Sequence, residues 1–469
     1  MSTAIGRFKA SALALGVALV LGTVSTGASA ADTRAMEKRL EQMEAMMKSL
    51  LAEQAALKQE LAEQKAIAQQ AQASSAKAEA KATELAQASA NPAPIIKPNK
   101  GASGGTKFSF GGFAKADFIA SRFSDGEVAG NTAGRDYYVP AAIPVAADGD
   151  SYQAFDIHAK ETRFNFATET PFADGNTLST LLEFDFMNDF DGDERVVNGY
   201  SPHVRHAFIK YGTKGENWIV GQTWSNFQDV ASLPDALAFL GPSEGTVFVR
   251  QAQARYTNGR FSVSIENPET TLSPFGGGAR QSVDDDKVPD ATLRFTEVGD
   301  WGHFTIAGLL RQLRYDNNGN DDTTGSWGVS LAGKFMLGDD DLRYMLTTGN
   351  GIGRYLGINT VNDAVYDSAA ADAGLETIDE TGGFIAYRHL WNANWRSSLY
   401  YSALFVDNDT ELTGLSATES VDSWHVNLVY APHPQFDIGV EYMHAKRELE
   451  NDLDGTMDRL QFVTRYSFQ

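Results

Sequence analysis

What most restricts the fold of this chain is a regular alternation of short and long connections from Lys107 to the C-terminus. Sixteen strand-like runs begin near Lys107, Gln153, Asn176, Pro202, Glu216, Thr246, Arg260, Pro289, Gly302, Thr324, Asp340, Glu380, Asn394, Val421, Pro434 and Thr456. Many alternate apolar and polar residues over about ten positions, the length a tilted strand needs to cross a bilayer. Trp327, Val329 and Leu331 make one clear case; Phe436, Ile438, Val440 and Tyr442 make another. Short turns follow Thr170 and fall at Gly212, Asn258, Val298, Gly338, Asn392 and Pro432. Between them run long connections: Ser124 to Tyr152, Asn188 to Ser201, Trp224 to Gly245, Pro268 to Val288, Asp316 to Asp322, Asn350 to Asp379, Asp407 to Glu419, and Leu449 to Gly455. A soluble sandwich has no reason to keep every second connection short, whereas an outer-membrane barrel has tight periplasmic turns and long outer loops. The expected fold is all-β, a 16-stranded antiparallel transmembrane barrel over 107–469 with both ends on the periplasmic side.

One connection is unlike the rest. Trp224 to Gly245, WSNFQDVASLPDALAFLGPSEG, is too long and too apolar for a solvated turn, and Phe227, Val230, Leu233, Leu237, Phe239 and Leu240 need cover. In a barrel wide enough to hold water such a segment can fold inward and narrow the channel. The plainer alternative is a two-turn helix lying on a soluble β-domain.

The first 106 residues follow different rules. Arg7 and Lys9, an apolar stretch from Ala10 to Val24 and the small residues Ala28-Ser29-Ala30 describe a signal peptide over 1–30. From Ala31 to Ala90 apolar and small residues recur at alternating steps of three and four, through Met36, Leu40, Met43, Met47, Leu50, Leu57 and Leu61. That is a coiled-coil seam, which a single helix cannot bury, so self-association is expected; a lone solvated helix is the alternative. Pro92, Pro94 and Pro98, followed by Gly101, Gly104 and Gly105, mark a linker over 91–106.

Composition removes several functions. There is no Cys, which excludes disulfides and thiolate chemistry, and the formal net charge of -22 argues against nucleic acid as a partner. No cofactor or metal site is expected. Against that acidic background the strand parity opposite the lipid face carries Arg163, Arg255, Arg294, Arg311, Lys334, Arg343, Arg388, Arg396 and Arg465, together with Asp437 and Glu441. As a ladder these cations would concentrate anions in a lumen; singly, each can instead be a structural partner for a loop carboxylate. The acids gather in the long connections, at Asp189, Asp191, Asp193 and Glu194, at Asp284 to Asp286, and at Asp316, Asp321 and Asp322. There they keep the outer face solvated or bridge divalent cations to lipopolysaccharide.

The coiled-coil extension, FSFGGFAKADF at Phe108 to Phe118, RFNFATETP from Arg163, RHAFIKYG from Arg205 and WIVGQTWSNFQD leading into the long connection together resemble the DcaP-like outer-membrane porins. The resemblance implies a homotrimer of barrels in the outer membrane of a Gram-negative bacterium, in contact with lipid and lipopolysaccharide, with the coiled coil in the periplasm. It also implies passive uptake of small organic anions, dicarboxylates among them. Asp229, Asp235 and Glu244 of the constriction loop would then face lumen arginines.

The leading expectation is therefore a porin and not an enzyme. Two alternatives come from other classes: an anchored tether of the envelope, and a barrel hydrolase. Ser423, His425 and Asp422 lie close in sequence, but Asp422 points to the opposite face and no G-x-S-x-G elbow is present.

Overall fold

The computed structural model describes Lys48 and residues 105–187, 200–317, 320–367 and 374–468. The expected signal peptide, the coiled coil apart from Lys48 and the linker up to Gly104 lie outside the described residues, as does the acidic run from Asp189 to Glu194. The chain divides into two compact units, Met1–Lys97 and Pro98–Gln469. In the first, Lys48 is helical and exposed.

The second unit is a sheet closed on itself. Lys107–Phe123 pairs antiparallel with Asp454–Phe468, Gly112 standing opposite Phe468, which leaves no free edge. Seventeen strands make up this sheet, but Tyr152–His158 and Arg163–Pro171 pair in succession along the same neighbour, Lys107–Phe123. They are two halves of one stave, so the barrel has sixteen. The interruption has a local cause. Lys160 and Glu161 are consecutive and both buried on the lumen side, where Lys160 Nζ donates to Asp136 Oδ2 at 2.6 Å and Glu161 pairs with Lys115. A continuous strand would send one of them into lipid, because its side chains alternate.

That alternation sorts the rest of the wall. Ile157, Trp218, Ile265, Leu293, Leu310 and Leu399 are exposed on the outside, while Ser264, Thr292, Thr305, Ser330, Thr347 and Asn427 are buried inside. Closure satisfies the ladder hydrogen bonds without water, which is the condition for crossing a bilayer with strands. Aromatic pairs gather at the tight-turn end, including Phe172 with Tyr211, Trp301 with Phe335, and Trp395 with Tyr430 at 4.7 Å. This is the level of a membrane interface.

Three connections differ from expectation. The strand expected from Thr246 begins at Arg250, because Val247 bridges Leu356 and the Phe248 amide donates to Tyr355 O at 3.0 Å, keeping 246–249 inside the lumen. The connection expected from Asp316 to Asp322 is the tip of a long hairpin, with Gly302–Asn317 and Asn320–Leu337 paired as far as Asn317 and Asn320. Arg314 lies 2.9 Å from Asp316 and 2.8 Å from Asp321, and so compensates the acids that read as a loop. The turn expected at Pro432 falls at 434–435, with His433 still in the strand.

Two of the long connections fold into structure of their own. Gln281–Val283, Thr270–Pro274, Ala364–Asp367 and Gly374–Thr377 form, in that order, a second sheet of four strands. Its small core consists of Leu272, Ala364 and Leu375, packed on Leu313 of the barrel.

Candidate functional site

Residues 225–249 fold into the barrel and are tied to its wall along their whole length. Asn226 is hydrogen-bonded to Glu266 and Thr292, and Arg294 Nη1 donates to Gln228 O at 2.9 Å. Arg343 Nη1 donates to Leu233 O, Arg396 pairs with Asp235 at 2.7 Å, and Leu237 is held from both sides by Lys115 Nζ at 2.6 Å and Glu441 at 2.8 Å. Further on, the Gly245 amide donates to Ser402 Oγ at 3.1 Å, so close to the wall that a Cβ on Gly245 would stand 2.2 Å from Gly383 O. Only Val230–Ser232 is helical, a single 3-10 turn capped by the Asp229 side chain. The segment buries Phe227, Leu237, Leu240 and Val247 against the lumen, while Val230 stays exposed.

The folded segment leaves two cavities. One, of 240 Å³, is bounded by Lys115, Glu161, Arg163, Arg205 and Arg465 together with Phe113, Trp224, Phe239 and Phe248. The other, of 280 Å³, is bounded by Tyr137, Met187, His203, Arg250, Arg354 and Asn359, and again by Phe239 and Phe248. Since Tyr137, Met187, Arg354 and Asn359 belong to long connections, the second cavity lies toward the long-loop end and the first deeper in the barrel. The cations differ in how well they are paired. Arg205 is held by Glu183 at 2.9 Å and Asp185 at 2.7 Å, while Arg163 reaches the same acids only at 3.6 and 3.8 Å. Arg250 has no ion pair among the described residues, and its buried Nη1 has no hydrogen-bond partner. Instead its guanidinium lies 4.8 Å from the Trp224 ring centroid.

The residues expected to line a pore separate into groups. Arg163 and Arg465 border the deeper cavity, Arg465 also pairing with Asp437. Arg294 and Arg343 donate to backbone oxygens of the inward segment, those of Gln228 and Leu233, and Arg255 to that of Trp224 just before it. Arg388 pairs with Asp341 at 2.7 Å, and Lys334 stands opposite Arg343 in the strand register. Arg311 is buried between Asp290 and Asp363, clamping a long connection to the wall, and, like Arg255, Arg294, Lys334, Arg343 and Arg388, it borders neither cavity. Of the three loop acids, Asp235 pairs with an arginine, Asp229 is bonded to a histidine within the field of Arg294, and Glu244 requires correction. Asp229 meets His303 Nε2 at 2.7 Å. Burial works against its carboxylate, but the hydrogen bond and charge of His303, the charge of Arg294 and the Ala231 amide together outweigh it and hold its pKa below the ordinary value. Glu244 is completely buried against the Ser423 hydroxyl, and burial pushes its carboxyl upward.

The model of the DcaP outer membrane protein family matches residues 40–468. This chain belongs to that family. Among solved structures, the outer membrane channel DcaP of Acinetobacter baumannii is similar at 24% identity and a TM-score of 0.63, over 80% of this chain and 99% of that one. The anion-selective porin from Comamonas acidovorans shares 10% identity and a TM-score of 0.50, over 78% of this chain and 100% of the other. The Salmonella typhi OmpF complex with daunomycin gives 13% and 0.50, over 78% and 98%. These likenesses are of fold. A search of curated proteins returned no match.

Within this DcaP-family barrel, strand parity overlooks Arg205 and Arg250. The register between Thr177–Asp185 and His203–Gly212 shifts at Glu183 and Phe184, which leaves Arg205 as the extra residue of a bulge. Arg205 and His206 are therefore both buried while Val204 and Ala207 face outward. Arg250 is the first residue of its strand, with no alternating run before it to set the phase. The Ser423 neighbourhood has the shape of a hydrolase triad with Glu441 in place of Asp422: Ser423 Oγ to His425 Nε2 is 3.0 Å and His425 Nδ1 to Glu441 is 3.8 Å. Ser423 and His425 are fully buried, and the serine hydroxyl bonds to Glu244, so these groups fasten the inward segment.

Proposed function

We propose that this DcaP-family protein is a passive outer-membrane diffusion channel that favours small organic anions, dicarboxylates among them. The observation that carries this reading is the convergence of Arg163, Arg205, Arg250 and Arg465 on the two cavities left by residues 225–249, with Arg250 unpaired among the described residues. In a narrow, water-filled passage with low-dielectric walls, such cations raise the local concentration of anions and cost nothing to reorganise when one arrives. Size exclusion by the tethered segment supplies the rest of the selectivity. No covalent chemistry enters this reading.

The same reading includes a cleaved signal peptide over 1–30, a periplasmic coiled coil over 31–90 and assembly as a homotrimer. The heptad seam supports the association, since one helix alone cannot bury it.

The test is single-channel recording in planar bilayers under a salt gradient, on protein extracted from membranes. Stepwise closures in threes with a reversal potential on the anion side are expected. A bilayer kept silent by folded, heat-modifiable protein overturns the channel; cation preference keeps the channel and overturns the arginine assignment.

A further inference from the structure

Phe239 and Phe248 are the residues that border both cavities. Their ring centroids are 6.0 Å apart at 75°, an edge-to-face pair standing between two basic chambers. Each ring carries the cation of one side. The Arg205 guanidinium lies 5.6 Å from Phe239 and the Arg250 guanidinium 5.8 Å from Phe248, with Trp224 between them at 5.7 and 4.8 Å. Both rings are half-buried, and both sit on a held backbone, Leu237 being tied to the wall and the Phe248 amide donating to Tyr355 O of a neighbouring long connection. Among the described residues, Arg163 Nε and Arg250 Nη1 are buried groups without a hydrogen-bond partner, one bordering each chamber, Arg163 Nε standing 3.6 Å from Glu183.

We propose that Phe239 and Phe248 form an aromatic septum dividing the passage into two anion sites, an outer one at Arg250 and an inner one at Arg163 and Arg205. This rests on the anion-channel reading and adds how the solute moves. A single strong site would hold an anion and slow its exit, whereas two weaker ones in series let it be passed on. An anion that pairs with a guanidinium competes with the contact between that guanidinium and its ring. Arrival of the solute therefore loosens the ring that blocks its way. Because the backbone is fixed, the opening is a side-chain rotation, and the ring pair sets throughput while the arginines set sign.

The test uses the full mature protein in planar bilayers, with chloride and acetate as the permeant anions. Phe239→Ala and Phe248→Ala are expected to raise single-channel conductance about twofold while leaving the anion preference in place. Phe239→Leu, which keeps the packing of the segment, should raise it less but in the same direction. Arg250→Gln should cut the current of anions entering from the long-loop end about threefold more than the current in the opposite direction. An anion-selective wild type whose Phe239 and Phe248 variants conduct as it does overturns the septum and leaves the channel standing. A wild type that never conducts overturns the channel reading itself. Loss of anion preference in Phe239→Leu would show that the ring selects and does not merely obstruct, which also contradicts the proposal.

Discussion

Arg311 stands 3.1 Å from Asp290 and 2.7 Å from Asp363, with a side chain 1% exposed, and it also donates to Gly351 O at 2.6 Å. Arg163, by contrast, has only long contacts with acids and borders an open cavity. Charge and strand parity are the same for both, so sequence alone gives them the same role. What separates them is whether a carboxylate from a distant connection folds back onto the guanidinium. Arg311→Ala should therefore destabilise the barrel by about 3 kcal/mol, because two buried carboxylates lose their shared guanidinium and, among the described residues, only Asp290 keeps another, Arg354 at 3.6 Å, and should leave ion selectivity unchanged. Thermal unfolding followed by gel mobility reads the first and reversal potential the second. Arg163→Gln should do the reverse, lowering anion preference with little change in unfolding midpoint. Arg205 was hidden by its bulge, since an extra residue in one strand reverses the phase that the alternating pattern supplies.

The strands themselves were legible, because lipid on one side and water on the other impose a period of two that survives in the sequence. Connections were less so. The acids from Asp316 to Asp322 read as a loop because nothing in the pattern reveals Arg314 among them. The inward course of residues 225–249 was legible from length and hydrophobicity, but not its fastening, which depends on groups far along the chain. Gly245 tests that fastening. A methyl there would overlap Gly383 O, so Gly245→Ala should push the segment off the wall and appear as increased open-channel noise with a lowered unfolding midpoint. The outer sheet has its own sensitivity. Burial raises the Asp286 carboxyl to about 6; Asp290 and Asp363 add to the rise, while the hydrogen bond from Thr270 and the charge of Arg311 oppose it. A carboxyl held above its unfolded value favours the fold while protonated, so that contribution is full at acid pH and drains as pH rises through about 6. The exchange protection of Thr270–Pro274 and Gln281–Val283, taken relative to the free-peptide rate, should fall as pH rises from about 4 to about 6.5, the span between the unfolded and folded titrations, and Asp286→Asn should flatten that fall.

At the scale of the molecule, the strand ladder closes on itself within Pro98–Gln469, first strand against last. Deleting residues 31–90 should leave a barrel that inserts and conducts with unchanged selectivity, and conductance of the truncated protein measures this directly. The inward segment has a further consequence. Leu237 is gripped by Lys115 from the first strand and by Glu441 from Phe436–Leu449, the neighbour of the last. These two groups come within reach of one another only when the sheet has closed on itself. The two-sided grip on Leu237 thus exists only in the closed barrel. A barrel whose ends have not met holds its segment on one side only, and would leak through a gap that the finished molecule does not possess.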